Sequence, residues 1–123
     1  MPGLRSHDQG FIAVSPDRVF GMLADPSTYP TWWPGAGVND SGVSLPMWRG
    51  NRPFSLERLR EGVGLYLVSG DDSLEWYLEP FDDGTIVNAL IDVQTRSARR
   101  MLRMRGAVRG ALVGLKRKLE PGS

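Results

Sequence analysis

The sequence of 123 residues predicts an α+β domain in which one antiparallel sheet is covered by a long C-terminal helix. Between residues 54 and 93, four strand-like runs are joined by connections too short to hold a crossover helix, which favours antiparallel pairing. Residues 97–119 then place apolar side chains at helical spacing. The length and the ordinary content of 41% hydrophobic and 24% charged residues indicate a single globular domain.

The N-terminal part predicts a strand followed by a helix. Residues 1–9 are polar and predict a weakly ordered start, and residues 10–14 combine aromatic and β-branched side chains typical of a first strand. Ser15 is expected to cap the helix that follows, and Pro16 suits its first position. The Asp25-Pro26 dipeptide ends that helix.

The middle of the chain is rich in turn-forming residues. Residues 26–37 mix prolines and glycines with aromatic residues and predict a stiff loop or a short helical turn. Residues 38–53 allow no assignment of elements. Four strands are expected after them, at residues 54–60, 65–69, 73–80 and 85–93.

The strand at 73–80 and the C-terminal helix each have one apolar face. Leu74, Trp76 and Leu78 alternate with polar or exposed neighbours, so we expect one face of this strand to be buried. The helix presents an apolar stripe formed by Met101, Met104, Val108, Ala111, Leu112, Leu115 and Leu119. The stripe is therefore expected to cover the apolar face of the sheet.

Composition excludes several classes of site. The chain has no cysteine, which excludes disulfides, cysteine nucleophiles and thiolate metal sites. His7 is its one histidine, so neither a histidine-rich metal site nor a histidine-based catalytic triad is expected. We also expect no cofactor. No apolar run is long enough to span a bilayer, and no secretory signal is recognisable at the N-terminus. We therefore expect a cytoplasmic protein without a transmembrane segment.

Charge is divided unevenly along the chain. Residues 1–95 carry 6 basic and 13 acidic groups, whereas residues 96–123 carry 9 basic groups and one acidic group. Docking of the basic helix on the acidic remainder of the same molecule would explain this division. A surface for nucleic acid, anionic lipid or a protein partner is the alternative, although nucleic acid is not the partner we expect.

Several short motifs resemble the START-like, polyketide cyclase/dehydrase (SRPBCC) superfamily. The stretches that carry the resemblance are residues 14–20 (VSPDRVF), 25–33 (DPSTYPTWW), 76–80 (WYLEP), 84–87 (GTIV) and 115–120 (LKRKLE). The resemblance implies a single ligand-binding domain at residues 10–120 with a helix-grip fold, in which a curved antiparallel sheet packs around the C-terminal helix. It also implies a cavity for an apolar or aromatic small molecule between sheet and helix. Residues 38–53 form a shorter segment than is usual in this superfamily. The sequence therefore does not decide whether the cavity is open at one side, closed or absent.

Candidate ligand-binding residues are those expected to face such a cavity. Indole rings can wall a pocket and donate one hydrogen bond, methionine adapts to varied ligand shapes, and arginine can bind a ligand carboxylate or carbonyl. The candidates are Tyr29, Trp32, Trp33, Trp48, Arg58, Trp76, Met101, Met104, Arg105 and Val108. Core packing and surface charge are the competing interpretations for the same residues.

No catalytic constellation can be identified in the sequence. A cyclase or dehydratase, the enzymatic alternative implied by the resemblance, would need a buried polar group in the cavity.

Gly106, Gly110 and Gly114 recur along the C-terminal helix at a cost to its stability of about 1 kcal/mol each. Close approach of another backbone, from a loop or from the partner in a homodimer, would explain them, and so would neutral drift.

Overall fold

Residues 3–46 and 53–120 are described by a computed structural model of the chain. The strands are β1 (Leu4–Ile12), β2 (Gly37–Asn39), β3 (Gly42–Ser44), β4 (Ser55–Arg60), β5 (Gly64–Ser69), β6 (Asp72–Phe81) and β7 (Gly84–Val93). The helices are α1 (Pro16–Leu23), α2 (Tyr29–Trp32) and α3 (Ala98–Leu119), with a 3-10 turn at Pro26–Thr28.

The main sheet has the strand order β1-β7-β6-β5-β4, and every neighbouring pair in it is antiparallel. Tight turns join β5 to β6 and β6 to β7, so these strands form a meander. The first strand completes the sheet from the far side by pairing with β7 along its whole length. Helix α3 packs against this sheet through the predicted apolar stripe, whose members are all buried. The predicted α+β architecture is thereby confirmed.

Strand β1 differs most from its sequence-based prediction. It begins at Leu4, six residues before the predicted strand and inside the stretch for which weak order was expected. Most residues in the first half of the strand are polar, yet every second residue of the whole strand is at least partly buried. Asp8 is among the buried ones and is covered by α3. Pairing with β7 supplies the order that the composition of this stretch does not indicate.

Strands β2 and β3 form a two-stranded hairpin within the region that the sequence left unassigned. The hairpin joins the rest of the structure through mutual backbone hydrogen bonds between Val43 and Phe54. Trp48, one of the predicted site residues, lies outside the described residues.

The alternation on β6 is confirmed, since Leu74, Trp76 and Leu78 are no more than 3% exposed. The neighbouring strand β7 buries its apolar side against α3 in the same way. On β4, Leu56 pairs with Leu67 of β5 and packs on the core, whereas Leu59 is 52% exposed. A register shift between Arg58 and Arg60 makes the end of β4 irregular.

Helix α1 begins as expected at Pro16, with Asp17 in its first turn. The Ser15 side chain makes no capping hydrogen bond, which corrects its predicted role, and its carbonyl oxygen accepts the N–H groups of Arg18 and Val19 instead. At α3, the Ser97 side chain does cap, since it accepts the N–H of Arg100 at 3.1 Å.

Candidate functional site

Four aromatic side chains meet beneath α3 and form what we call the aromatic cluster: Tyr29, Trp32, Trp33 and Trp76. Tyr29 and Trp32 belong to α2, Trp33 follows it directly, and Trp76 comes from the inner face of β6. The ring centroids of Tyr29 and Trp32 are 4.6 Å apart, and Trp76 lies edge-on to Trp32 at 6.1 Å and to Trp33 at 6.2 Å. All four side chains are buried. The cluster therefore joins α2 to the sheet in the place where the ligand was expected.

Hydrogen bonding divides the three indoles of the aromatic cluster. The Nε1–H of Trp32 donates to the Thr28 hydroxyl at 3.1 Å. The Nε1 atoms of Trp33 and Trp76 are both fully buried. Among the described residues, Trp33 Nε1 meets no acceptor, whereas the Trp76 indole lies beside the Tyr29 hydroxyl without forming a hydrogen bond of good geometry. Buried donors are nearly always paired in folded proteins, and leaving one unpaired costs about 1–3 kcal/mol. The cluster thus holds one donor, that of Trp33, without an acceptor among the described residues and a second, that of Trp76, whose contact with Tyr29 is weak.

Tyr29 supplies the polar group of the cluster that is already engaged. Its hydroxyl donates to the carbonyl oxygen of Leu23 at 2.8 Å. Burial raises the pKa of Tyr29 far above its ordinary value, and weak hydrogen bonding from the Trp76 indole to the hydroxyl oxygen opposes this shift only in part. The hydroxyl is therefore neutral at every physiological pH and serves as a fixed hydrogen-bond donor.

The candidates on α3 separate into an apolar set and one arginine. Met101, Met104 and Val108 are buried in the same core as the aromatic cluster, and their unexposed side chains point from α3 towards the sheet. Arg105 lies at the edge of this stripe and binds Asp8 of β1, with Nη2 3.4 Å from Oδ1. The structure accordingly places the apolar candidates with the cluster and Arg105 in a separate ion pair.

Arg58 lies apart from the aromatic cluster. Its guanidinium forms a salt bridge of 3.0 Å with Glu61 and stands over the ring of Phe20 at 5.9 Å from the centroid. Both members of the salt bridge are largely exposed, so the pair adds little to stability. Arg58 therefore does not meet the other candidates in this structure.

Asp8 is the charged residue that the sequence did not single out. Its side chain is 8% exposed and accepts hydrogen bonds from Arg109 at 2.9 Å and from Arg105. Burial by itself would raise the pKa of Asp8, but the two arginines outweigh it and hold the pKa below its ordinary value. An isolated acid in a polar stretch gives no signal for this role, because the partners lie about a hundred positions away.

The basic residues of α3 divide between two sides of the helix. Arg105, Arg109 and Lys116 turn towards β1, where they bind Asp8, Glu120 and the carbonyl oxygen of Phe11. Among the described residues, no ion-pair partner is found for another group of basic side chains: Arg99, Arg100, Arg103, Arg117 and Lys118. Docking on the acidic part of the chain therefore accounts for only part of the basic tail.

The three regularly spaced glycines of α3 have different environments. A Cβ built on Gly114 would collide with the carbonyl oxygen of Trp32, whereas no described residue lies within 4 Å of one built on Gly106 or Gly110. Close approach of another backbone therefore explains Gly114, and that backbone belongs to α2 of the same chain. This contact sets the distance between α3 and the aromatic cluster.

Open depressions among the described residues lie at the edges of the fold. One of about 450 Å³ is on the outer face of the sheet, between Arg5, His7 and Glu75. Another of about 450 Å³ runs along β1 beside α3, from Asp8 to Ile12 on the strand and from Arg109 to Lys116 on the helix. Within the described ranges, no His, Asp and Glu side chains gather into a group suited to a metal ion.

Solved structures of the same architecture exist. The Aha1 dimer of Colwellia psychrerythraea matches 98% of both chains with a TM-score of 0.74 and 18% identity. The KanY protein matches 97% of this chain and 99% of its own with a TM-score of 0.75 and 13% identity. The chain has the helix-grip fold of START-like proteins.

A third helix-grip structure is DynU16, described as a putative protein in the dynemicin biosynthetic locus. It matches 97% of this chain and 48% of its own length, with a TM-score of 0.71 and 15% identity. No family model matches the sequence, and neither does any curated protein. The likeness is therefore one of fold. Within the described residues, no helix is both long and apolar enough to cross a membrane.

Proposed function

We propose that the chain binds a small apolar or aromatic molecule in the interior of the helix-grip fold, against the aromatic cluster. The observation that carries this proposal is the buried indole donor of Trp33, whose Nε1 has no acceptor among the described residues, together with the Trp76 donor, which lies beside the Tyr29 hydroxyl without a hydrogen bond of good geometry. A ligand with one carbonyl, ether or phenolate oxygen would supply that acceptor and place its apolar part against the rings.

Two further features support a binding role for this interior. Met101 and Met104 line the helix side of the same core, and methionine side chains can change rotamer to admit ligands of different shape. Two solved neighbours, the Aha1 dimer and KanY, share the fold over nearly their whole length. A third, DynU16, shares it over 48% of its own length and is described from a biosynthetic locus. A cytoplasmic location and the absence of a cofactor remain predictions.

The enzymatic alternative, a cyclase or dehydratase, needs a buried group that exchanges a proton with the substrate. Tyr29 is the buried hydroxyl of the aromatic cluster, but it is bound to the Leu23 carbonyl oxygen, and burial raises its pKa. These properties suit a fixed donor and disfavour proton transfer. Binding without turnover is thus the function that the cluster supports best.

An interaction protein is the second candidate, and the outward-facing arginines of α3 favour it. Arg99, Arg103 and Arg117 have no ion-pair partner among the described residues. Binding of RNA or anionic vesicles that weakens with salt would support this candidate.

Separately, we propose that two copies of the chain associate, since the neighbouring Aha1 structure is a dimer.

Binding is tested with two matched probes, 2-acetylnaphthalene and 2-ethylnaphthalene, which differ in one carbonyl oxygen. We expect the wild-type chain to bind the acetyl compound about tenfold more tightly, because only that compound offers an acceptor to the indoles. Trp33→Phe and Trp76→Phe should each reduce this preference, whereas Trp32→Phe should retain it, since the Trp32 donor is already bound to Thr28. Tryptophan fluorescence reports the binding.

Native mass spectrometry of the freshly purified protein complements the titration, because a bound molecule that is lost on denaturation would reveal the class of ligand. The proposal is wrong if nothing co-purifies and neither probe changes the tryptophan fluorescence up to its solubility limit. A preference for the acetyl compound that survives both Trp33→Phe and Trp76→Phe would instead exclude the two indole donors as its cause.

A further inference from the structure

Strand β1 forms one free edge of the main sheet, and the groups along that edge are only partly used. Alternate residues of a strand direct their backbone N–H and C=O to the same edge. The carbonyl oxygen of Phe11 accepts a hydrogen bond from Lys116, and the N–H of Ala13 donates to Glu120, so odd-numbered residues point away from β7. Arg5, His7 and Gln9 therefore present unpaired backbone groups at this edge.

The opposite edge of the sheet is protected. Strand β4 carries a register shift between Arg58 and Arg60 and is mostly exposed and charged, features that keep edge strands from pairing with other chains. On β1, by contrast, Lys116 and Glu120 of α3 cap only the last two positions. What remains is a regular edge of three residues with His7 at its centre.

We propose that two copies of this chain pair through β1, antiparallel and about a two-fold axis at His7, so that their sheets join into one of ten strands. This proposal locates the surface for the self-association proposed above, and it depends on that self-association. In this register Arg5 lies opposite the partner subunit's Gln9, and His7 lies opposite the partner subunit's His7. Each opposed pair of free residues exchanges two backbone hydrogen bonds, so three pairs give six.

The inner face of β1 fits the same register. Ser6 lies opposite the partner subunit's Asp8, and the Ser6 hydroxyl is buried in one copy without a hydrogen-bond partner. Even-numbered residues form the closely spaced pairs, with Cα atoms about 4.5 Å apart, which brings the hydroxyl near the carboxylate across the axis. Because the Ser6 hydroxyl is covered within its own copy, it meets this carboxylate only when its side chain rotates towards the edge, and the register itself rests on the free backbone groups.

The groove along β1 gives room to the partner's side chain. Leu4 is only partly buried in its own core and would lie opposite the partner subunit's Gly10. Gly10 has no side chain, and beside it Leu112 and Val113 help to line the groove of about 450 Å³ between β1 and α3. Val113 is 50% exposed in one copy. Insertion of Leu4 from each copy into the groove of the other would bury apolar surface on both sides of the axis.

The charges near the axis and the two-fold symmetry of the contact are both compatible with a dimer. Asp8 is held by Arg105 and Arg109 of its own chain, so the two Asp8 carboxylates are neutralised where they approach the axis. The caps at Phe11 and Ala13 stop the pairing beyond residue 9. A two-fold contact that uses the same surface on both copies closes on itself and does not propagate into a fibre.

The test compares the masses of three forms of the full chain by size-exclusion chromatography with light scattering. The wild type and Gln9→Ala, which keeps the backbone N–H, should be dimers. Gln9→Pro should be a monomer, because proline removes an edge N–H and blocks the approach of a second strand, while an edge position tolerates it within one chain. Near-ultraviolet circular dichroism of the tryptophans verifies that each form is folded.

Cross-linking tests the register without depending on the proline variant. The chain has no cysteine, so His7→Cys introduces one thiol at the proposed axis, and a short bismaleimide should join two copies. Phe11→Cys is the control, because the two thiols would be roughly 27 Å apart along the paired strands and should stay unlinked.

A monomeric wild type overturns both the self-association and this interface. A dimer that persists in Gln9→Pro and is not linked through His7→Cys overturns the interface alone and moves the contact to another surface. Equal linking of His7→Cys and Phe11→Cys also contradicts the register.

Discussion

The aromatic cluster and the contact between β1 and α3 hold the same helix in opposite ways. The cluster is apolar and is built from Tyr29, Trp32, Trp33 and Trp76. Among the described residues, its Trp33 donor has no acceptor and its Trp76 donor only a weak contact with the Tyr29 hydroxyl. The contact on the other side, which we call the charged seam, is built from ion pairs and a capped strand end: Asp8, Arg105, Arg109, Lys116 and Glu120. Each side-chain charge of the charged seam has a partner.

This difference indicates what each region can do. Polar groups buried without partners cost free energy, so their persistence in the aromatic cluster points to a molecule that pairs with them. The side-chain charges of the charged seam are paired instead, Asp8 with two arginines and Lys116 with Glu120. We therefore propose that the cluster is the binding region and that the seam attaches β1, and the predictions below test that division.

The largest effect is expected where α3 approaches the aromatic cluster. Gly114→Ala would place a methyl group on the Trp32 carbonyl oxygen, which belongs to a backbone that cannot move aside without shifting α2. We expect a loss of about 3 kcal/mol in the free energy of unfolding, the upper range for overpacking. Urea unfolding measures it.

Gly110→Ala is the matched control on the same helix. Its methyl group meets open space, so alanine should stabilise α3 by about 0.5–1 kcal/mol through its better helix propensity. Similar effects of the two substitutions, in either direction, would contradict the close approach of α2 at Gly114.

The second effect concerns the charged seam. Asp8→Asn removes a buried carboxylate that accepts hydrogen bonds from Arg109 and Arg105, and we expect a loss of about 1–2 kcal/mol at neutral pH. The arginines lower the pKa of Asp8, so its stabilisation is complete above the unfolded-state pKa of about 3.9. It is lost as the pH falls through the lowered folded-state pKa. Urea unfolding from pH 7 to pH 3 should show the two proteins converging at the acid end.

Asp92→Asn provides the comparison for an exposed ion pair. Asp92 lies 3.1 Å from Arg5, but both side chains are open to solvent, so the loss should stay below about 0.5 kcal/mol. A cost for Asp8→Asn that is no larger than this, or that is independent of pH, would show that the charged seam does not stabilise the fold.

The sequence predicts the aromatic cluster better than the charged seam, and the reason is physical. Trp76 alternates with polar neighbours on its strand, and Met104 and Val108 recur at helical spacing, so burial can be inferred from periodicity. The order of elements and the long C-terminal helix follow from the same kind of pattern. Site membership of the predicted residues stays a prediction, because burial alone suits core packing equally well.

The charged seam depends on contacts that no local pattern contains. Strand β1 begins with polar residues, and its order comes from pairing with β7 about eighty positions away. Asp8 finds its partners only after α3 has packed across the sheet. Gly114 shows the same limit, since its spacing matches Gly110, and only the position of Trp32 distinguishes the two. Periodicity predicts which face of an element is buried, but it does not predict which element covers that face.

The smallest expected effect separates the paired and unpaired indoles within the aromatic cluster. Trp32→Phe and Trp33→Phe remove similar ring volume from positions that are 3% and 1% exposed, so their packing costs should be close. The Trp32 variant also loses a hydrogen bond to Thr28, whereas the Trp33 variant loses a donor that has no acceptor. In ligand-free protein, Trp32→Phe should therefore be less stable than Trp33→Phe by about 1 kcal/mol in urea unfolding. An equal or reversed order would mean that the Trp33 indole is satisfied in solution, which would remove the main support for a ligand acceptor.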